Sequence, residues 1–415
     1  MKVMDRKAER LLHWYDQNKR SLPWRENPTP YQTWVSEIML QQTRVEAVKE
    51  YYLRFMKELP DNKALAEATE DRYMKLWEGL GYYSRVRNLH KAAVVIEENY
   101  GGKMPESAAE LRTLPGIGPY TSAAIAAIAF GECLPALDGN LLRIFSRMCA
   151  YGENIKADAA KAAAEHFYLE MMRGDDAICE DRHICREEAV SKGNCTAGVN
   201  DSVTESLYAD VKEITSEEYK SEESQAEQAT FVKERKAIGK RAGDFNQALM
   251  DLGASVCLPN STPLCEKCPW AEFCRAHACG REMDFPVMPE KKARKIEELT
   301  VFLIHYEGKI ALRKRPAKGL LAGLYEFPNT AGHLEEDVAL QYVEGLGFHP
   351  LRIRRLREGK HIFTHKEWHM IGYEIYADEL SEAPASKSKE EVFLATAEEI
   401  AEQYSVPSAF SVYKS

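Results

Sequence analysis

The 415-residue sequence contains no apolar run of about 18 residues, the length that a membrane-spanning helix needs. Its first 17 residues are charged and amphipathic, and they lack the apolar core of a secretory signal. These two absences predict a cytoplasmic protein. Thiols stay reduced there, so the ten cysteines are expected to be metal ligands or core residues and not disulfides.

The chain also lacks an excess of positive charge, since its formal net charge is −10. Residues 175–230 hold 5 Lys/Arg and 15 Asp/Glu, which accounts for the whole imbalance. The rest of the chain is balanced, and a basic face for nucleic acid is not excluded. Because 175–238 has few large apolar residues, we predict a disordered insert there. The alternative is a regulatory or partner-binding segment with metal ligands at Cys179, His183, Cys185 and Cys195.

No alternating strand pattern occurs before residue 280, where apolar residues recur at helical spacing outside the insert. The predicted helices are 5–20, one long helix from about 34 to 59, 63–80, 84–99, 107–113, 119–130, 153–172 and 242–257. After a charged stretch the pattern changes to a hairpin around residues 307–309, a helix at 336–346 and a strand at 368–376. The sequence therefore predicts a multidomain protein, all-α at first and α+β from about residue 299.

A glycine turn, LPGIG at 114–118, separates two of the predicted helices. Gly116 and Gly118 permit positive φ, and Pro119 suits the first position of the following helix. Such a turn can point backbone N–H groups at a phosphate without reading the base sequence. The alternative is an ordinary turn between two helices.

Asp138 precedes the amphipathic stretch GNLLRIFSRM and is a candidate helix N-cap. The N–H groups and dipole of the helix would keep its carboxylate ionised. A permanent anion beside a sugar would stabilise an oxocarbenium-like transition state. Its role is thus either capping alone or capping combined with catalysis.

A second carboxylate, Glu37, lies on the shoulder of the apolar stripe of the helix that begins near residue 34. A half-buried Glu has a raised pKa and can donate a proton near neutral pH. One charged and one protonated carboxylate together suit the cleavage of a glycosidic bond. The alternative is a Glu at the surface, paired with Arg44 or Lys49.

Four cysteines lie within eighteen residues in the order C-x7-C-x2-C-x5-C. Four thiolates so close together in a reduced compartment indicate a metal site. The spacing favours an iron–sulfur cluster over tetrahedral zinc, because only one CxxC pair is present. The ligands would be Cys257, Cys265, Cys268 and Cys274, with Cys279 left free.

The glycine turn, the following Asp and the four-cysteine loop together resemble the helix-hairpin-helix DNA glycosylases that carry a 4Fe-4S cluster. In the endonuclease III branch a lysine that attacks the sugar follows the turn, and here Tyr120 stands in that place. The sequence is therefore similar to the MutY family of adenine DNA glycosylases. Further motifs that resemble this family are LPWRENPTPYQTWVSEIMLQQTRV, GLGYYSR, ALDGN, FNQALMDLGA and GLLAGLYEFPN.

The resemblance implies a monofunctional base-excision repair enzyme that flips adenine out of duplex DNA, opposite 8-oxoguanine or guanine. Glu37 matches the acid that protonates adenine and helps to activate water. Asp138 matches the group that stabilises the sugar cation, by its charge or by a transient covalent bond. Tyr120 and Asn140 match residues that orient this chemistry. Other matched positions are Gln42 and Tyr82, inserted into the duplex, and Arg20, Leu22, Trp24 and Gln247, in the adenine pocket.

The C-terminal part resembles the Nudix-like domain by which that family recognises 8-oxoguanine. Phe363, Thr364 and His365 match the recognition loop, although Ser is usual at the position of Thr364. The stretch VALQYVEGLGF lacks the metal ligands of a pyrophosphatase, so the resemblance implies binding without hydrolysis. The implied domains are 1–22 with 139–280 around the cluster, 23–138 with six helices, a linker at 281–298, and 299–415.

Two features depart from the family pattern: the first cysteine gap is seven residues instead of six, and the acidic insert has no counterpart. Two other functions remain open at this point. One is a bifunctional glycosylase and lyase acting on oxidised pyrimidines, which Tyr120 disfavours. The other is a catalytically silent damage-binding protein, which the pair of carboxylates disfavours. A monomer is expected, with duplex DNA as its partner.

Overall fold

The computed structural model describes residues 3–26, 28–173, 241–289, 293–380 and 391–414. The predicted insert and its four candidate metal ligands, Cys179, His183, Cys185 and Cys195, lie outside these residues. None of the described helices is long and apolar enough to cross a membrane.

The described chain is helical up to the linker and mixed after it. The helices are α1 Val3–Asn18, α2 Pro30–Leu40, α3 Val45–Glu58, α4 Asn62–Ala66, α5 Glu70–Leu76, α6 Ser84–Tyr100, α7 Ala108–Leu111, α8 Pro119–Phe130, α9 Gly139–Cys149, α10 Asp158–Arg173, α11 Ala242–Ser255, α12 Arg275–Ala278, α13 Glu336–Gly345 and α14 Ala397–Glu402. The strands are β1 Lys295–Tyr306, β2 Lys309–Lys314, β3 Tyr325–Glu326, β4 Asn329–Ala331, β5 Phe348–Arg355, β6 Gly359–Ile362, β7 Lys366–Leu380 and β8 Val392–Ala395.

The chain divides into two compact units, each described by itself: residues 1–37 with 104–290, and residues 38–103 with 291–415. The boundaries of these compact units differ from the predicted domain boundaries. The predicted domain boundaries stay a prediction.

The first unit is held together by one apolar core that α1, α9, α10 and α11 share. Its members include Leu11, Phe145, Tyr168 and Phe245, each of them buried. The indole of Trp270, in the cysteine loop, is also in this core and donates a hydrogen bond to the carbonyl of Lys7 (2.7 Å). Burying an aromatic side chain of this size stabilises the fold by about 2–3 kcal/mol. The core therefore anchors the cysteine loop to the helices.

The second unit begins with the end of α2 and continues through α3 to α6. The long helix predicted from 34 to 59 is wrong, because the chain breaks at residues 41–44, where Gln42 has a φ of +57°. The predicted helix 63–80 is likewise two helices, since Thr69 has an extended backbone (φ −67°, ψ 154°). In both places the apolar spacing continues across a short interruption, so periodicity alone does not reveal the break.

The same unit contains a mixed sheet in the order β3-β2-β1-β7-β5. Strands β1 and β7 are parallel, and β2 and β5 pair antiparallel with them. Along β1, Val301 and Leu303 face one apolar core while Phe302 and Ile304 face another. This alternation is the period of two of a β-strand, and α13 covers the second core.

Candidate active site and metal centre

Glu37 lies near the end of α2 and is only 6% exposed. Tyr120, in the first turn of α8, donates a hydrogen bond from its hydroxyl to Glu37 Oε2 (2.7 Å). Burial raises the pKa of Glu37 to about 6, the nearby charge of Asp138 adds to the rise, and the Tyr120 hydrogen bond opposes it. Glu37 is therefore not the surface residue of the alternative interpretation. Lys49 pairs instead with Glu46 (2.9 Å).

Asp138 is the N-cap of α9, as its position in the sequence indicated. Its Oδ1 accepts hydrogen bonds from the backbone N–H groups of Asn140 and Leu141, both at 2.8 Å. Its Oδ2 accepts one from the side-chain amide of Asn140 (2.6 Å). Burial nevertheless raises the pKa of Asp138 above its ordinary value, and these hydrogen bonds only oppose that rise. The N-terminus of α9 therefore fixes the position of the Asp138 carboxylate, but it does not bring the pKa of this group below its ordinary value.

A loop at 20–25 is fixed to α11 through a buried carboxylate, Asp251, which is 1% exposed. Arg20 donates to it through Nε (2.7 Å), and Arg25 donates through both terminal nitrogens (2.7 and 3.0 Å). Gln247 lies one turn before Asp251 on α11, and its Oε1 accepts a hydrogen bond from Tyr15 (3.0 Å). Arg20 of the loop and Gln247 of the helix are thus each held by a polar contact in the first unit, Arg20 by Asp251 and Gln247 by Tyr15.

The two apolar residues predicted for the adenine pocket, Leu22 and Trp24, are 3% and 6% exposed. Asp251 and Arg25 were not among the predicted site residues. Both occur in motifs that were recognised, LPWRENP and FNQALMDLGA. The sequence did contain a signal for this ion pair, namely an acidic residue in a mostly apolar helix and two arginines in a separate loop.

The glycine turn joins α7 to α8, and Pro119 stands at the first position of α8 as predicted. Gly116 has the left-handed backbone (φ +78°). Gly118 does not, since it is the N-cap of α8 with an extended backbone (φ −90°, ψ −178°). The positive φ that both glycines permit is thus adopted at Gly116 and not at Gly118, because an N-cap takes the extended conformation.

The four predicted cysteine ligands line one small cavity in the first unit, beside Met148 and His277. Burial raises the pKa of Cys268 to about 12 and that of Cys265 to about 11, and the neighbouring thiolates add to both shifts. Metal binding would have to displace these protons. Four thiols around one cavity can bind a metal, whereas Cys279 is exposed.

Two arginines of α9 connect this cavity to the protein around it. Arg147 donates to Cys257 Sγ (3.2 Å) and to the carbonyl of Leu258 (2.9 Å). Arg143 donates to the carbonyl of Cys257 (2.9 Å) and to Asn140 Oδ1 (3.0 Å). The sequence pattern showed only that these side chains are basic and lie on a helix.

In the second unit, Gln42 and Tyr82 are both exposed and both have positive φ, +57° and +47°. Non-glycine residues rarely adopt this conformation, which costs about 1–3 kcal/mol each. Such strain is concentrated at binding sites, where the surrounding structure maintains it.

The predicted recognition loop joins β6 to β7. The ring of Phe363 packs edge-on against Trp368, with 4.8 Å between the centroids. Thr364 and His365 are exposed, and Thr364 Oγ1 lies 2.8 Å from the hydroxyl of Tyr82. Within the second unit the structure therefore brings two of the predicted DNA-contacting positions together, although 282 residues separate them.

Comparison with known proteins identifies the class of protein to which this chain is similar. Residues 35–186 match the HhH-GPD superfamily of base excision DNA repair proteins, and residues 300–413 match the NUDIX domain. A solved structure of a thermostable thymine-DNA glycosylase is 22% identical and covers 66% of this chain and 97% of that chain. Its TM-score of 0.46 is too low to add to the assignment.

Adenine DNA glycosylases are similar over most of the chain. The enzyme of Mus musculus is 30% identical over 91% of this chain and 71% of its own length. That of Buchnera aphidicola subsp. Baizongia pistaciae is 28% identical over 86% of this chain and 82% of its own length. The chain belongs to the adenine DNA glycosylase family, whose members hydrolyse N-glycosyl bonds in base excision repair. Its DNA glycosylase domain is followed by a Nudix-like domain.

Proposed function

We propose that the enzyme removes adenine paired with 8-oxoguanine or guanine, and that Glu37, Tyr120, Asp138 and Asn140 carry out the reaction. The observation that carries this proposal is a pair of buried carboxylates in different settings. Glu37 faces the hydroxyl of Tyr120, and Asp138 is surrounded by three N–H donors. Two carboxylates with different environments can take the separate parts of proton donor and anion.

In this mechanism adenine is flipped out of the duplex into the first unit, against Leu22 and Trp24, with Arg20 and Gln247 at the polar edge. The protonated carboxyl of Glu37 gives its proton to the adenine ring, which turns the base into a neutral leaving group. The pKa of about 6 leaves part of Glu37 protonated near neutral pH. The hydrogen bond from Tyr120 fixes the orientation of the carboxyl group.

As the bond between base and sugar breaks, positive charge develops on the sugar ring. The carboxylate of Asp138 stabilises this charge, and the amide of Asn140 holds the carboxylate in position. Water then adds to the sugar and gives its proton to the Glu37 carboxylate, which restores the protonated acid. No lysine stands at position 120, so the chain lacks there the amine that would cut the strand.

We further propose that Cys257, Cys265, Cys268 and Cys274 hold a 4Fe-4S cluster. The four cysteines line one cavity of the first unit, and their sequence spacing, with a single CxxC pair, favours a cluster over zinc. At the same cavity, ligand atoms of Cys265, His277 and Glu282 lie within 4.8 Å of one another. The bound cluster would cross-link the loop between residues 257 and 274.

DNA contacts are proposed at Gly116 and Gly118 on the phosphate backbone, and at Gln42 and Tyr82 within the duplex. Phe363, Thr364 and His365 would recognise 8-oxoguanine, in a Nudix-like domain that binds and does not hydrolyse. The hydroxyl that serine provides in the family is kept at Thr364. We propose a monomer that acts in the cytoplasm, and on the nucleoid if the cell is bacterial.

The test is a single-turnover assay on duplexes with adenine opposite 8-oxoguanine, guanine or thymine, and on a duplex with an oxidised pyrimidine. We expect adenine release that is fastest opposite 8-oxoguanine, slower opposite guanine and absent opposite thymine. Borohydride trapping run in parallel should give no efficient covalent adduct on the oxidised pyrimidine. Efficient trapping there would support the lyase, and tight binding without base release would support a silent binding protein.

A further inference from the structure

One buried arginine, Arg85 in the first turn of α6, contacts both loops that carry a strained residue. Its Nη1 donates to the carbonyl oxygens of Ile38 (2.8 Å), Met39 (3.0 Å) and Gln41 (2.6 Å). Its Nη2 donates to those of Leu80 (3.0 Å) and Gly81 (3.1 Å). The guanidinium thus joins the end of α2 to the turn before α6.

Two of these acceptors have a special position. The Gln41 carbonyl belongs to the peptide that links Gln41 to Gln42, and the Gly81 carbonyl belongs to the peptide that links Gly81 to Tyr82. Each hydrogen bond therefore fixes the peptide plane directly before a residue with positive φ. A strained conformation persists when its surroundings determine it more than once, and one guanidinium does this for both residues.

The guanidinium donates mainly to these backbone carbonyls. Among the described residues, the acceptors of its two terminal nitrogens are the carbonyl oxygens named above and the hydroxyl of Thr43 (3.4 Å), and none is a carboxylate. The rings of Trp77 and Tyr82 lie 5.3 and 5.6 Å from its central carbon. Burial lowers the pKa of Arg85 to about 10, so the side chain stays charged at neutral pH. The two terminal nitrogens of the guanidinium carry four N–H groups in one plane and reach acceptors in both loops, whereas the ammonium of lysine has three N–H groups on a single nitrogen.

We propose that Arg85 is a positioning residue that holds Gln42 and Tyr82 ready for insertion into the duplex. This inference rests on the proposed role of those two residues in DNA binding. Arg85 touches neither the base nor the sugar, and it acts through the backbone of the two loops. Arg85 maintains the strained conformations in the free protein, so that the free energy of DNA binding is not reduced by the cost of ordering the two loops.

The test compares Arg85→Lys with the matched control Arg54→Lys. Arg54 also donates to a backbone carbonyl, that of Leu76 (3.2 Å), and also stacks on a ring, Tyr51 (4.8 Å), but it is exposed. The assay is equilibrium binding to a duplex that carries a non-cleavable adenosine analogue opposite 8-oxoguanine, with 2-aminopurine beside the lesion. The 2-aminopurine fluorescence reports insertion into the stack separately from affinity.

We expect Arg85→Lys to weaken binding roughly tenfold and to remove most of the fluorescence change at saturation, while Arg54→Lys changes neither. In a double-mutant cycle, Arg85→Lys should cost little once Tyr82→Ala or Gln42→Ala is present. Additive effects, or a full fluorescence change in saturated Arg85→Lys, would overturn the proposal. If instead Tyr82→Ala and Gln42→Ala both leave binding unchanged, the proposed DNA contacts themselves are wrong.

Folding is checked separately by amide hydrogen exchange. In Arg85→Lys, the amides of residues 40–43 and 79–83 should exchange faster while those of the first unit keep their protection. Thr43→Val removes one acceptor of the same guanidinium and should shift exchange and binding in the same direction by a smaller amount. Loss of the fold in Arg85→Lys together with no effect in Thr43→Val would assign the arginine to stability alone and overturn the proposal.

Discussion

At the scale of single residues, Glu37 shows how a site can conflict with stability. The side chain is buried, and it accepts a hydrogen bond from Tyr120. Its pKa in the folded chain, about 6, lies above the ordinary value of 4.5. The protonated form is therefore favoured by folding, and the stability present below pH 4.5 is lost as the pH rises through 6.

Replacing Glu37 with Gln should accordingly stabilise the protein at pH 8, where the buried charge costs about 2 kcal/mol. The amide oxygen can still accept the hydrogen bond from Tyr120. Urea unfolding at pH 8 and pH 4.5 measures the change, with Glu46→Gln, an exposed residue of the neighbouring helix, as the control. If Glu37→Gln is less stable than the parent at pH 8, the claim that a buried Glu37 carboxylate destabilises the parent at that pH is wrong.

The same pKa predicts how the reaction depends on pH. If the protonated Glu37 is the acid, the single-turnover rate should be level below pH 6 and fall by up to about tenfold per unit above it. The measurement is adenine release from a saturated complex between pH 5 and 8. A rate that rises across that interval would exclude Glu37 as the proton donor.

Sequence reasoning performed well for residues whose chemistry is local. The capping position of Asp138 follows from its place before an amphipathic stretch, and the structure confirms it. Asp251 and Arg85 were not predicted as parts of a site, because what matters about them is the set of distant backbone and side-chain groups that they contact. A buried charge in an apolar stretch indicates that a partner exists, but the tertiary fold determines which one.

At the scale of elements, helix breaks and turns are where pattern and structure differ. The apolar spacing runs through residues 41–44 as if one helix continued, yet Gln42 takes the left-handed conformation there. In the glycine turn the two glycines have different reasons to be present. Gly116 supplies a positive φ of +78°, whereas Gly118 is an extended N-cap at which an added Cβ would meet no atom within 4 Å.

This difference can be tested by stability. Gly116→Ala should destabilise the protein by about 1 kcal/mol or more, because an L side chain is strained at that φ. Gly118→Ala is the matched variant, and its backbone conformation and open surroundings predict a change of no more than a few tenths of a kcal/mol beyond the lost N-cap preference. Thermal unfolding measures the stability of both variants. Equal losses of stability would contradict the claim that the turn needs a positive φ at Gly116 only.

At the scale of the whole molecule, the sequence predicted the order of a helical glycosylase part and a later Nudix-like part, and this is confirmed. It could not predict the division into compact units, in which residues 38–103 group with the C-terminal sheet. Local pattern contains no information on such grouping. Within that second unit, Lys75 donates to the carbonyls of Ile400 and Tyr404, and Lys414 pairs with Glu78.

The proposed recognition loop predicts a selective defect. Exchanging Thr364 and His365 together for Ala should lower the ratio of the rate opposite 8-oxoguanine to the rate opposite guanine by roughly tenfold or more, since the loss of one base-specific contact costs about 1–3 kcal/mol. Lys309→Ala, at the exposed start of β2 in the same sheet, is the control. An equal loss on both mispairs would argue against recognition by this loop.

The most direct measurement is single-turnover release of adenine from an adenine:8-oxoguanine duplex by the parent protein and by Glu37→Gln, both saturating and both verified as folded. The account predicts release by the parent and a loss of about 100-fold to 10,000-fold in the variant, the range that general acid catalysis supplies. Equal rates for the two proteins would contradict the central claim that the Glu37 carboxyl donates the proton.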